Sequence, residues 1–113
     1  MKEIKAYVHR ARVTDVIEAV KATTAWTARF GDAGQHNLTV YAVQGSLAPI
    51  DDAERHYSVD LGQEVVNEFK LELHCEDEDV AELVAAIGGA GRTGQSRAGW
   101  IYVMDIEAAS AIH

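Results

Sequence analysis

Alternation of hydrophobic and polar residues marks two stretches of the chain, residues 3–9 and 65–75, and this period of two is the pattern of half-buried β-strands. The clearest stretch places Phe69, Leu71 and Leu73 on one face and polar side chains on the other. A further stretch, residues 38–43, is rich in β-branched and aromatic residues, which favour strands. The four predicted strands cover residues 3–9, 38–43, 65–75 and 100–104.

Two further stretches carry apolar residues at helical spacing. In the first, Thr14 is predicted to cap a helix that begins at Asp15, whose charge suits a helix N-terminus. The pattern does not define where this helix ends before the turn cluster at 31–34. The second helix is predicted to follow the acidic run at 76–79 and to end at the glycine pair 88–89.

The predicted elements follow the order β-α-β-β-α-β. Two split βαβ units of this kind form a four-stranded antiparallel sheet with both helices on one face, the ferredoxin-like sandwich of the α+β class. In this arrangement the first and third strands are central, antiparallel neighbours. We therefore predict that residues 1–113 form a single α+β domain.

A long polar connection, Leu47 to Gln63, joins the second and third predicted strands. It contains the only proline, Pro49, and a run of charged residues at 51–56. Connections of this length inside small domains are functional or disordered. We expect the tip of this segment to be mobile.

Net charge narrows the classes of partner. The chain has 113 residues and a formal net charge of −8, and nucleic acid or anionic lipid requires clustered Lys and Arg instead. The single cysteine, Cys75, excludes an intrachain disulfide. The opening residues lack the apolar core of a signal peptide, and no apolar run is long enough to span a membrane. We expect a cytoplasmic protein that neither binds nucleic acid nor inserts into a membrane.

Candidate nucleophiles lack a partner base. Ser46, Thr93 and Ser96 have no neighbouring base in sequence, and no Gly-x-Ser-x-Gly elbow occurs. Cys75 ends an apolar strand, where a lone thiol commonly acts as a small hydrophobic side chain. The acidic residues 76–79 are explained by the start of a helix, with cation binding as the alternative. We therefore predict that the protein is not an enzyme.

Histidine spacing does not indicate a metal site within one chain. No two of the histidines form an H-x-x-x-H pair, and no Cys-x-x-Cys pair exists. His9 and His74 end the first and third predicted strands, which run antiparallel, so we expect them at opposite ends of the sheet. A metal site shared between subunits stays open as an alternative.

A glycine-rich turn, residues 91–100, connects the second helix to the last strand. Its glycines allow backbone N–H groups to converge on an anion. Arg92 and Arg97 add guanidinium donors that suit phosphate or carboxylate. The turn is therefore a candidate ligand-sensing loop, although the glycines taken alone favour a plain helix-to-strand connection.

The residues from Thr93 to Val103 resemble the C-terminal signature of the PII signalling proteins, in which Thr-Gly is followed by Gly-Asp-Gly-Lys and an Ile-Phe-Val strand. Residues 1–6 resemble the first strand of that family. Residues 38–45 resemble its second strand and the exit into its flexible T-loop, and residues 69–73 resemble the strand that returns. The resemblance covers nearly the whole chain in order.

This resemblance implies a homotrimer with adenine nucleotides (ADP, AMP or ATP) bound as sensed ligands in clefts between subunits. It also implies that a T-loop, at about 44–63, signals to a protein partner such as a transporter or an enzyme. Carried over by position, the ligand-binding residues are Thr39, Gly45, Glu72, Thr93, Gly94 and Gly99. Arg92 and Arg97 are added as candidate replacement cations, and Trp100 as a side chain able to stack on a flat ligand.

Departures from the family pattern concern the phosphate site. Its Gly-Asp-Gly-Lys positions are Arg97-Ala98-Gly99-Trp100 here, so a tryptophan replaces the phosphate-binding lysine, and the C-terminal arginines of the family are missing. Each such loss removes a charge-assisted contact. We therefore expect weak ATP binding unless Arg92 or Arg97 compensates.

Two other departures concern the T-loop and the first helix. Leu61 occupies the position of the tyrosine that is uridylylated in some members. The segment 21–37 is roughly ten residues longer than in the family pattern.

The leading hypothesis is a PII-like regulatory protein, and the alternative is a trimeric module that binds a metal or metabolite without a nucleotide.

Overall fold

The computed structural model describes residues 1–30 and 38–113 of the chain. Two α-helices, α1 (Val13–Lys21) and α2 (Val80–Ala90), pack beside a five-stranded sheet. The strands are β1 (Lys2–His9), β2 (Thr39–Gly45), β3 (His56–Ser58), β4 (Gln63–Cys75) and β5 (Trp100–Asp105). Short helical turns cover Trp26–Phe30, Asp52–Glu54 and Asp77–Asp79. The turn predicted at 31–34 and the histidine at 36 lie outside the described residues.

The sheet has the strand order β2-β4-β1-β5, and each pair is antiparallel. β1 and β4 are central neighbours, with Ile4 opposite Leu73. This confirms the predicted α+β class and the central pairing, and the order fits a ferredoxin-like fold. The prediction of four strands was incomplete. β3, within the long polar connection, pairs with the start of β4 as a fifth strand because the chain reverses there at Gly62, whose φ is +66°.

The hydrophobic core lies between one face of the sheet and the two helices. Alternate residues of β1 and β4 meet the apolar stripes of α1 and α2, as expected when a strand period of two faces a helix period of 3.6. The fully buried side chains include Ile4 and Leu71 from the sheet, Val16 from α1 and Leu83 from α2. This core fixes the helix-facing side of the sheet. In the part of the chain that the structure describes, the opposite side is buried at His9 and Glu68 and exposed at Trp100 and Tyr102, and this exposed part is called the uncovered face below.

The first helix starts earlier than predicted. α1 begins at Val13 with Arg12 as its N-cap, and no side chain makes a capping hydrogen bond. Asp15 instead lies in the first turn, where its carboxylate is 3.1 Å from the Arg12 guanidinium. The ion pair and the helix dipole together explain why Asp15 is inside the helix rather than at its start.

The second helix also extends further than predicted. α2 continues through the glycine pair at 88–89 to Ala90, and the N–H of the C-cap Gly91 donates to the carbonyl of Ile87. Glycine weakens a helix by only about 1 kcal/mol relative to alanine. Packing of Leu83 and Ile87 in the core outweighs that cost.

A carboxylate of α2 ties down the start of the long segment 21–37. Glu82 accepts hydrogen bonds from the backbone N–H groups of Thr24 and Ala25, at 2.9 and 2.8 Å. These two bonds lower the pKa of Glu82. The extra residues after α1 are therefore anchored to the neighbouring helix at their beginning.

Candidate functional site

A cavity of about 420 Å³ lies under the glycine-rich turn between α2 and β5. Its floor is apolar, with Val8 from β1, Ile87 from α2 and Ile101 from β5. The turn supplies the wall. Among the residues predicted to bind a ligand, those that line this cavity are Arg92, Thr93, Gly94, Gly99 and Trp100.

Glycine is required where the turn enters β5. A Cβ at Gly99 would overlap the backbone carbonyl of Tyr7, the residue that pairs with Trp100 across β1 and β5. Backbone atoms cannot move aside as a flexible side chain can. The close approach of Gly99 to β1 therefore sets the position of Trp100 at the mouth of the cavity.

The middle of the turn holds two residues with a positive φ. Gly94 has φ +86°, which glycine adopts at no steric cost. Arg97 has φ +57°, a conformation that costs a non-glycine residue about 1 kcal/mol or more. The turn therefore carries local backbone strain at Arg97.

Gln95, which the sequence analysis does not select, connects the cavity to the polar segment. Its side-chain Oε1 accepts a hydrogen bond from Thr93 Oγ1 at 3.1 Å. Its Nε2 donates to the backbone carbonyl of Pro49. Both Gln95 and Thr93 line the cavity. No local pattern could identify this residue, because its partner is distant in sequence.

The other residues predicted to bind a ligand do not line this cavity. Glu72 lies on the uncovered face of the sheet, where its carboxylate is 3.3 Å from Lys70 Nζ and 3.8 Å from Lys5 Nζ. Thr39 is its register partner on β2. Gly45 ends β2, and Arg97 is exposed on the turn. Gly45 and Trp100 together line a second cavity, and Thr39, Glu72 and Arg97 line neither of the two.

A buried carboxyl group, that of Glu68, explains why position 45 holds a glycine. The Glu68 side chain is only 5% exposed, and a Cβ at Gly45 would overlap its carboxyl atoms. Glu68 Oε2 accepts a hydrogen bond from the Leu47 N–H at 3.1 Å. Burial raises the pKa of Glu68, and the hydrogen bond from Leu47 opposes that rise. The exit of β2 is therefore packed around this carboxyl group.

A second buried polar contact holds the polar segment further along. His9 is 2% exposed, and its Nδ1 accepts the N–H of Ala11 at 2.9 Å. That assigns the ring proton to Nε2, which lies 2.5 Å from Glu54 Oε2 and donates to it.

The Glu54 carboxylate also closes a capping box with Asp51. Its Oε1 accepts the backbone N–H groups of Ile50 and Asp51. Burial favours the protonated form, but the hydrogen bonds from Asp51 and His9 outweigh it and lower the pKa of Glu54. The spacing of Asp51 and Glu54 is a sequence signal for this box that the sequence analysis missed.

Metal ligation has little basis within the described residues. His9 is opposite Glu68 and His74 is opposite Glu3, so these histidines lie at opposite ends of the β1–β4 pair, as predicted. No group of three or more His, Cys, Asp or Glu side chains that could hold a metal ion occurs in residues 1–30 and 38–113. Cys75 is buried, and burial raises the pKa of its thiol to about 11.

The uncovered face of the sheet is aromatic beside the cavity. The rings of Trp100 and Tyr102 stack at a centroid distance of 6.4 Å. Tyr7 meets Tyr102 edge to face at 6.2 Å. Trp100 is 48% exposed and Tyr102 is 46% exposed. Trp100 thus belongs both to the cavity lining and to an exposed apolar surface.

Comparison with known proteins identifies a relative. No protein-family model matches the chain. Nitrogen regulatory protein P-II 1 of Methanothermobacter thermautotrophicus is 27% identical over 106 residues, which cover 94% of this chain and 84% of the relative. In the part of the chain that the structure describes, no helix has the length and apolar character needed to cross a membrane. The matched length and the ferredoxin-like strand order agree with the resemblance found in the sequence, and the chain is similar to this PII protein over nearly its whole length.

Proposed function

We propose that this chain is a non-enzymatic regulatory protein that senses an adenine nucleotide in the cavity under the glycine-rich turn. The observation that carries the proposal is the cavity itself, which has the size of a small-molecule site. Its apolar floor suits a flat base, and its wall carries the hydroxyl of Thr93, the amide of Gln95 and the guanidinium of Arg92. Regulation is the role named for the archaeal relative.

The charge of the site favours a nucleotide with few phosphates. Arg92 is the cation in the cavity lining, and Trp100 stands where PII proteins have a phosphate-binding lysine. A charge-assisted contact contributes about 1.5–3 kcal/mol. With fewer such contacts, ATP gains little over ADP from its third phosphate, and little over AMP from its second and third.

A trimer is part of the proposal because the uncovered sheet face exposes large apolar side chains beside its charged residues Lys5, Lys70 and Glu72. Tyr41, Trp100, Tyr102 and Met104 are each more than a third exposed in one chain. Trp100, Tyr102 and Met104 are neighbours along β5, and exposed apolar patches of this kind mark interfaces. Since Trp100 joins this surface to the cavity, packing of a neighbouring subunit there would close the mouth of the cavity. Thr39, Gly45 and Glu72 would then serve the site from the neighbouring subunit's side of the cleft.

Segment 44–63 is proposed as the effector loop that reaches a protein partner, a transporter or an enzyme. Its hairpin tip exposes three large apolar side chains, of which Val59 is the most exposed at 85%. The other two are Tyr57 and Leu61. A protein with these properties and a net charge of −8 is expected to act in the cytoplasm.

Titration calorimetry with ATP, ADP, AMP and cyclic AMP tests the nucleotide, and light scattering coupled to gel filtration tests the trimer. Arg92→Ala is expected to weaken binding of the preferred nucleotide about tenfold or more, because it removes the cation of the cavity. The matched control is Lys21→Ala, which removes an exposed cation at the end of α1. Absence of binding heat with all four nucleotides, on a folded protein, would reject the proposed ligand class.

A further inference from the structure

We infer that Gln95 is a positioning residue through which the cavity controls segment 46–58. This inference deepens the proposed function and rests on it where a nucleotide is concerned. The first observation is that the two polar atoms of the Gln95 carboxamide have partners in different parts of the structure. The Oε1 atom faces Thr93 inside the cavity wall, and the Nε2 atom donates to the carbonyl of Pro49 in the segment.

Hydrogen bonds on both sides of Pro49 attach the segment to the sheet, so a displacement of Pro49 would also displace its neighbours in the segment. Pro49 is buried, and the N–H of the next residue, Ile50, donates to Glu54 at 3.1 Å. Glu54 in turn is hydrogen-bonded to the buried His9. On the other side of Pro49, the N–H of Leu47 donates to the buried Glu68. The segment near Pro49 therefore contacts the sheet through two buried polar groups and the turn through Gln95.

The far end of the segment is held as well. Ser58 Oγ donates to Gln44 Oε1 at 3.2 Å and accepts from the Leu61 N–H at 3.3 Å. Gln44 belongs to β2, so both the start and the end of the segment are attached to the sheet. A displacement of Pro49 is consequently expected to affect the whole of residues 46–58 and not only one peptide group.

The turn carries backbone strain close to Gln95. Gly94 and Arg97 flank it with positive φ values of +86° and +57°, and the arginine pays a steric cost for its value. A ligand that takes the hydroxyl proton of Thr93 competes with Gln95 Oε1 for it, because a hydroxyl has one proton to donate. A ligand that takes the N–H of Gln95 now directed at Pro49 competes with that carbonyl in the same way.

Occupancy of the cavity and attachment of the segment are therefore coupled and, by linkage, the coupling is reciprocal. The hydrogen bond from Gln95 to Pro49 keeps the segment attached to the turn. A ligand that engages Thr93 and Gln95 releases Pro49 and loosens residues 47–54. The device needs no movement of the core.

Hydrogen–deuterium exchange on the protein without ligand tests this directly. Gln95→Ala and Gln95→Glu both remove the donor to Pro49, and Gln95→Glu also keeps the shape and the acceptor for Thr93. Both variants are expected to raise exchange of the amides of residues 47–54 about five- to tenfold, the equivalent of one lost hydrogen bond. The matched control is Ser96→Ala on the same turn, which is exposed and is expected to leave exchange unchanged.

Exchange in α2 and β1 serves as the internal reference, and it is expected to be equal in all four proteins. Unchanged exchange at 47–54 in both Gln95 variants would overturn the inference, as would an equal rise throughout the protein. In a second arm, saturating ADP is expected to raise exchange at 47–54 in the wild type and to add nothing in Gln95→Ala.

The two arms separate this inference from the proposed function. If calorimetry detects no binding of any of the four nucleotides, the proposed ligand class fails, and the comparison of variants without ligand still decides the role of Gln95. If ADP binds and exchange at 47–54 in the wild type does not change, the coupling is overturned and the proposed ligand stands.

Discussion

Replacing Gly99 by alanine tests whether the close contact between the turn and β1 positions the cavity. The added Cβ would overlap the carbonyl of Tyr7, which belongs to the backbone of a central strand. Overpacking against well-packed atoms costs about 1–3 kcal/mol. We expect the upper half of that range, about 2–3 kcal/mol, because backbone on both sides must shift.

A matched substitution on the preceding helix separates this steric effect from a general effect of removing glycine. A Cβ at Gly89 of α2 meets no atom within 4 Å. Gly89→Ala is therefore expected to stabilise the protein by about 0.5–1 kcal/mol, through the better helix propensity of alanine. The two variants carry the same chemical change and should move the free energy of unfolding in opposite directions.

Urea unfolding followed by circular dichroism gives the free energies, and thermal unfolding gives a second measure. At this chain length, 1 kcal/mol corresponds to about 4 °C in Tm. Gly99→Ala is therefore expected to lower Tm by about 10 °C, at an oligomeric state that light scattering shows to be unchanged. A free energy of unfolding for Gly99→Ala within about 0.5 kcal/mol of the wild type would refute the argument that this glycine is required by its contact with Tyr7.

Three further predictions concern the buried groups. Because burial raises the pKa of Glu68, its stabilising contribution is complete below the ordinary value of 4.5 and is lost as pH rises through the raised pKa, so Glu68→Gln should flatten the loss of stability above pH 4.5 in urea titrations. The pKa of Glu54 is lowered, so its contribution is present above 4.5 and is lost as pH falls through the lowered value; in carbon-detected NMR its carboxyl should titrate below 4.5, and in His9→Ala this lowering should be smaller. Leu83→Ala should destabilise the protein by about 2–5 kcal/mol in urea unfolding, because Leu83 is fully buried in the core.

Much of the architecture could be predicted from residue patterns, because strand and helix periods depend on local sequence. Alternation at Leu71 and Leu73 identified a strand that both helices cover, and both side chains are buried. Helix ends were less predictable. α2 passes through its two glycines because core contacts outweigh propensity, which the local sequence does not reveal.

The candidate site was predictable only where it is local. The turn residues lie together in the cavity since they are neighbours in sequence. Glu68 follows the alternation of the polar face, yet it is buried, because the segment after Gly45 folds over it. The contacts of Gln95 with Pro49 and of Glu54 with His9 join residues about forty or more positions apart. Pairings at such distances depend on tertiary structure and leave no periodic signal in the sequence.

Two proposals are central: the cavity under the glycine-rich turn binds an adenine nucleotide, and residues 46–58 respond to it through Gln95. A crystal structure grown with saturating ADP tests both parts together. The account predicts a nucleotide beside Arg92 and Thr93, with Gln95 turned away from Pro49. An empty cavity, or ADP bound elsewhere with the hydrogen bond from Gln95 to Pro49 intact, would contradict it.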